Sequence, residues 1–247
     1  MRKQLSSLRT VKGKGRRAGD ATGVEPVTAP SWSAAVNGEG TLTDLAYGQL
    51  EELIVTLQLP PGAVLSELVL SKRLNIGRTP IREALQRLSR DGLVNILPRR
   101  GILVSDINVR VQLRLLEVRR ELERLMARGA AERATEEERR QFSALAAGMR
   151  DAAERADDID FMRLDKQFNT LLSAAARNEF ASRSMGLVHG LSRRFWYQHY
   201  RETADLPLAA RLHAEVAEAI AQRDAAKAAA ASDRLIEYIE SFARATL

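Results

Sequence analysis

The chain has 247 residues, 45% of them apolar, 5% aromatic and 28% charged, which is enough for one large or two modest domains with a real core. It has no cysteine, no run near the ~18 apolar residues of a membrane span and no apolar signal core at the N-terminus, so disulfides, thiolate metal sites and a cysteine nucleophile are excluded and a soluble, cytoplasmic protein without a membrane partner is expected. The net charge of +6 sits within the first twenty residues (Arg2, Lys3, Arg9, Lys12, Lys14, Arg16 and Arg17 against Asp20), and the remainder is balanced, so any claim of nucleic-acid binding must rest on local pattern.

Residues 1–40 are rich in Gly, Ser, Ala and Thr without a period, and read as a disordered basic tail. Such a tail has non-specific phosphate affinity, or is a dispensable extension. From Thr41 the pattern becomes regular. "TLTDLAYGQLEELIVTLQLPPG" places Leu45, Leu50, Leu53, Ile54 and Leu57 at helical spacing, stopped by Pro60-Pro61-Gly62. "SELVLSKRL" is a second, short helix with Leu68, Leu70 and Leu74 apolar, and Asn75-Ile76-Gly77 is a tight turn. A third helix is expected from about Pro80 to Arg90, with Thr79 as N-cap, Pro80 in the first helical position and Ile81, Leu85 and Leu88 buried. "LVNIL" and "ILV" are short strands around a "PRRG" hairpin tip. Residues 41–107 therefore read as a helix-turn-helix followed by a two-stranded wing.

In a helix-turn-helix the start of the second helix enters the major groove of double-stranded DNA. Arg78 and Arg82 there suit guanine edges or phosphates, and Thr79 with the unpaired N–H groups ahead of Pro80 suits a phosphate oxygen. Arg99, Arg100 and Gly101 at the hairpin tip are placed to touch backbone or minor groove. Arg87 and Arg90 read as a solvated face.

The run "PGAVLSELVLSKRLNIGRTPIREALQRLSRDGLVNILPRRGILV" closely resembles the winged-helix domain of GntR-type bacterial transcription regulators. The marks are Pro61-Gly62, Leu65-x-Glu67, Leu70, Leu74, Arg78 to Leu85, Leu88, Gly92-Leu93 and Arg100-Gly101. The resemblance implies DNA contact by Arg78, Thr79, Arg82 and the wing tip. Gly77 departs from it, standing where such proteins often carry Ser.

Beyond Ser105 every segment reads as helix, at about 108–133, 136–156, 159–177, 179–202, 207–223 and 225–245, so residues 108–247 form an all-α antiparallel bundle and the fold is mainly α. "LLEVRRELERLMARGAAERATEEE", "LDKQFNTLLSAAARNEF" and "RLHAEVAEAIAQRDAAKAA" resemble the all-helical effector domain of the FadR branch, called FCD. Asp165 lies in the apolar stripe of Phe161, Leu164, Phe168 and Leu172, with Asn169 one turn on. His213 sits among Ala209, Leu212, Val216 and Ile220, and Arg119 among Leu115, Leu122 and Met126. Three polar groups on apolar faces of different helices point to a polar cavity.

The FCD resemblance implies a divalent metal such as zinc held by an Asp, a His one turn later and two further His. Asp165 and His213 match that set; Asn169 and Leu235 stand where the other two would be. The pocket is therefore expected to hold no metal tightly but to bind a small carboxylate effector through Arg119 and Arg193 or Arg194, with Asp165, Asn169 and His213 around it. His189 and His199 are read as surface or interface residues. The resulting expectation is a homodimeric, ligand-responsive repressor of operator DNA. A bundle serving only as a dimerisation scaffold and a metal-dependent sensor are the alternatives. No nucleophile, base and orienting group assemble in the sequence, so an enzyme is not expected.

Overall fold

The computed structural model describes residues 41–247, and residues 201–203 as backbone only. The disordered-tail reading of 1–40 lies outside the described residues. Helix α1 (Leu42–Val55) opens with a capping box between Thr41 and Asp44 and ends at Thr56. Leu57, with φ 61°, breaks it before the two prolines are reached. A short strand β1 (Val64–Leu65) leads to α2 (Glu67–Leu74), capped by Ser66. Asn75, left-handed at φ 53°, then turns the chain into α3 (Arg78–Arg90).

Helix α3 starts earlier than its sequence suggests. Gly77 is the N-cap, so Arg78 is the first helical residue and Thr79 and Pro80 are the second and third; Thr79 caps nothing. None of the first N–H groups of a helix has an intrahelical acceptor, so proline fits the third position as well as the first. At its other end α3 closes with a Schellman turn. Gly92, at φ 76°, donates to Ser89 (3.2 Å) and Leu93 donates to Leu88 (2.9 Å). That reversal is why a hairpin follows the helix at once: β2 (Val94–Leu97) and β3 (Gly101–Val104). The sheet has order β1-β3-β2, both pairs antiparallel. The wing thus gains a third strand, two residues long and too short to show alternation. Ala46, Leu50, Ile54, Ile81, Leu85 and Leu88 are fully inaccessible at its core.

The bundle comprises α4 (Val109–Arg133), α5 (Glu136–Arg155), α6 (Asp158–Ala175), α7 (Glu179–Thr203), α8 (Leu206–Ala221) and α9 (Ala225–Arg244). Each begins with a side-chain cap: Asn108, Thr135, Asp157, Asn178, Asp205 and Asp224. Phe142, Met149, Ile220 and Ile236 fill a second core, each such side chain worth roughly 1.5–3 kcal/mol of burial. Ala130, Ala214, Ala217 and Ala228, all at 0% exposure, let the helices approach closely. Among the described residues no helix is long and apolar enough to cross a membrane.

The two cores meet along α7. Leu191 packs against the winged-helix core. A Cβ on Gly190 would lie 3.0 Å from both Glu51 Oε1 and a Leu93 methyl, so only glycine fits there without displacement. Arg193 pairs with Glu52 of α1 at 3.4 Å. Arg194, 2% exposed, donates to Ser105 O, Ser105 Oγ and Asp106 O, each at 3.0 Å. The Ser105 hydroxyl passes the contact on by donating to Gly92 O at 2.7 Å.

Replacing Arg194 with Ala leaves these linker carbonyls without their donor. The expected cost is about 2–4 kcal/mol, with faster proteolysis between residues 105 and 108 and separation of one melting transition into two. A single unshifted transition would show that Arg194 does not hold the joint.

Candidate DNA interface and effector cavity

Arg78 and Arg82 expose 61% and 57% of their side chains at the start of α3, and Thr79 is exposed beside them. Both arginines converge on Glu67, the first residue of α2. Arg82 donates through Nε to Glu67 Oε1 (3.0 Å) and through Nη2 to Oε2 (2.9 Å), and Arg78 Nη2 lies 4.0 Å from Oε2. This fork fixes the guanidinium plane of Arg82. The hydrogen bond from Arg82 holds the Glu67 carboxyl below its usual range. Glu67 has no role in the sequence reading beyond marking the resemblance, because its partner lies across the turn. Arg87 is not merely solvated: it pairs with Asp44 at 3.1 Å and lies 3.9 Å from the centroid of the Tyr47 ring, tying α3 to α1.

At the hairpin tip the Arg100 amide donates to Leu97 O (3.1 Å). Pro98 second and Arg99 third, at φ 62°, give the pattern of a type II turn. Gly101 has φ 92°, and Arg99, Arg100 and Gly101 are all exposed.

Inside the bundle, Asp165, Asn169 and His213 come together as expected. His213 Nδ1 lies 2.8 Å from Ala209 O and Nε2 lies 3.1 Å from Asp165 Oδ1. The Ala209 carbonyl and the Asp165 carboxylate both suit an N–H donor, so this setting favours the protonated ring. Its ring stands edge-on to Phe161 and Phe168. Burial lowers the His213 pKa, but the hydrogen bond and charge of Asp165 outweigh it and the net shift is upward. Burial likewise raises that of Asp165, yet the His213 bond and the charges of His213 and Arg119 bring it down to about 2. Asn169 Nδ2 donates to Asp165 Oδ1 at 2.9 Å.

These residues do not fit a metal. Nε2 of His213 faces Asp165 Oδ1 at hydrogen-bond distance, Asn169 turns its N–H group to Asp165, and Leu235 is an apolar core residue at 2% exposure. Among the described residues no three His, Cys, Asp or Glu side chains gather as a ligand set.

Arg119 belongs to a neighbouring network. Its Nε donates to Glu123 Oε1 (2.6 Å) and its Nη1 to Ser192 Oγ (2.8 Å), which also accepts from Gln112 (3.0 Å). Beside this network lies a cavity of about 120 Å³, lined by Glu123 and Met126 of α4, Asn169 and Ser173 of α6, and Met185 and His189 of α7, among others. Of the residues expected at the effector, only Asn169 lines it. Arg193 and Arg194 are engaged at the joint with the winged helix instead, because burial next to the linker carbonyls and Glu52 leaves them acceptors there. His189 is not a surface residue; it lines the cavity, while His199 stacks on Phe195 with ring centroids 4.7 Å apart. Glu123 escaped the sequence reading because a glutamate four residues after an arginine on a helix is ordinarily a surface pair.

Burial and the charge of Arg119 lower the His189 pKa to about 4. The unfolded chain therefore binds this proton below pH 6.5 while the folded one does not until near 4, so the contribution of His189 to stability falls as pH drops through that window. His189→Gln is expected to flatten the loss of melting temperature between pH 7 and 4.5; an unchanged slope would refute the assignment.

Two sequence families match this chain: residues 42–104 match the bacterial regulatory proteins of the gntR family, and residues 114–238 match the FCD domain. The HTH-type transcriptional repressor RspR of Escherichia coli is 31% identical over 178 residues, covering 72% of this chain and 78% of that protein. The Nta operon transcriptional regulator of Aminobacter aminovorans is 26% identical over 177 residues, covering 69% and 80%. In structure, the chain is similar to E. coli McbR/YncC, with TM-score 0.71, 18% identity and 84% and 99% coverage. It is also similar to a GntR regulator from Rhodococcus sp. RHA1, with TM-score 0.60, 22% identity and 83% and 98% coverage. Winged helix, linker and helical bundle follow one another in the order of these matches: the chain belongs to the GntR family of DNA-binding transcription regulators, not enzymes, and carries an FCD domain.

Proposed function

We propose that this regulator is a cytoplasmic, homodimeric repressor that reads operator DNA with residues 41–107 and senses a small molecule with residues 108–247. The observation that carries the sensor reading is α7. Met185 and His189 face the cavity, and Gly190 to Arg194, within the next two turns, grip the winged helix and the linker. A ligand that displaces α7 acts on both, which is the coupling an allosteric regulator needs. Repression is supported by the name of the E. coli relative RspR. The carboxylate class expected for the effector loses its support with Arg193 and Arg194 engaged elsewhere. The scaffold alternative draws on the closed Asp165–Asn169–His213 network, but the adjoining cavity has no use in a scaffold.

For DNA contact, Arg78, Thr79 and Arg82 would address base edges and phosphates from the start of α3, with Pro80 setting the helix start and Arg99, Arg100 and Gly101 approaching the backbone. Glu67 would orient Arg82.

A dimer surface is offered by α4, where Val111, Val118 and Leu125 are exposed at seven-residue spacing. The stripe is self-complementary. With two copies antiparallel and Val118 on the two-fold axis, Val111 meets Leu125 and Arg114 meets Glu121 of the other copy.

Arg82→Ala is expected to cost about 1–3 kcal/mol of binding to a duplex selected from a random library and to relax preference at one base pair, with Arg90→Ala nearly neutral. Anisotropy titration checks this, and wild-type affinity in the Arg82 variant would remove the arginine from the interface. Val118→Arg is expected to convert the dimer to monomer in light scattering. A dimer persisting at micromolar concentration would place the interface elsewhere.

A further inference from the structure

The geometry points to a small hydrogen-bond donor, an amine or a polyol, as the ligand of the cavity between α4, α6 and α7. This rests on the sensor reading above and names the class of molecule sensed. Acceptors predominate among the polar atoms left to a ligand, the donors being the Ser173 hydroxyl and one ring N–H of His189. Glu123 gives Oε1 to Arg119, and its Oε2 receives no hydrogen bond from the described residues. Asn169 spends its N–H on Asp165, which leaves its carbonyl oxygen. His189 has no hydrogen bond within the described structure and, neutral at physiological pH, offers one ring lone pair and one ring N–H. Ser182 already donates to Ser173 O at 3.1 Å, so its oxygen is left to accept.

No arginine or lysine lines the cavity. A carboxylate entering it would face the carboxylate of Glu123 and the amide oxygen of Asn169, with the guanidinium of Arg119 already held by Glu123 and Ser192. An ammonium or a hydroxyl group meets matching acceptors in the same place. The apolar part of such a molecule has the thioethers of Met126 and Met185 to lie against. Size narrows the class. The cavity holds about 120 Å³, against the ~150 Å³ cavity that accommodates a benzene-sized molecule.

The test is thermal shift and calorimetric titration of the full chain with ethanolamine, putrescine and glycerol, set against acetate and lactate. Saturable stabilisation by at least one of the three donors, and by neither carboxylate, is the expected result. Putrescine or ethanolamine binding above glycerol identifies a cation, and glycerol matching them identifies a neutral polyol. Glu123→Gln keeps an acceptor oxygen but loses the charge, and should weaken amine binding about tenfold while changing glycerol binding less than about threefold. Because that change also frees Arg119, Ser173→Leu is the second variant: it enlarges a half-buried lining side chain that makes none of the hydrogen bonds described, and should abolish binding of every donor while the chain still folds and binds DNA. The inference is overturned by stabilisation with a carboxylate but no donor, by no donor binding at about 10 mM, or by donor binding unchanged in Ser173→Leu. Each of those results leaves the DNA-binding reading in place. The sensor reading fails separately, if a molecule that binds the bundle leaves operator affinity unchanged.

Discussion

Arg194 carries a charge that cannot be left alone. Its guanidinium is 2% exposed, and burial lowers its pKa only to about 10, so it stays protonated at neutral pH. An unpaired charge in that position would cost several kcal/mol. Its two terminal nitrogens donate to the backbone of Ser105 and Asp106, the segment that joins the winged helix to the bundle, while the buried Nε has no acceptor among the described residues. Linker geometry is therefore set by an electrostatic demand of α7. The Ser105 hydroxyl extends that demand to Gly92, the residue that turns the recognition helix into the wing.

Helix α7 consequently does two jobs with adjacent turns. Its earlier residues close a cavity whose walls come from α4 and α6, and its later residues hold the reading head. Arg119 and Ser192 link the two, since Ser192 lies on α7 between Leu191 and Arg193 while Arg119 holds Glu123 at the cavity wall. The His213–Asp165 pair stands where the family resemblance implies a metal ion.

Most of the architecture was legible because it is written in local signals. Helical periodicity and the proline and glycine breaks bring the bundle helices and α3 to within about two residues of their bounds. Misplaced were features decided by partners distant in sequence. The β1 strand exists only because Val64 and Leu65 find β3. Thr79 was taken for the cap because cap preference is a local statistic, whereas Gly77 takes that place through the turn from α2. At the site, Asp165, Asn169 and His213 were visible as polar residues on apolar stripes. The engagement of Arg193 and Arg194 at the joint was not legible, because a sequence shows that an arginine needs an acceptor but not where the acceptor lies. Glu123 and His189 carried no such contrast and came into view only with the cavity.

Gly190 gives the joint its mechanical character. With no Cβ, the α7 backbone rests against the ends of Leu93 and Glu51, and a side chain there would be 3.0 Å from each. Only the ends of those two side chains separate the helix from the winged-helix core, so any larger residue at position 190 would have to push them aside or pry the two cores apart.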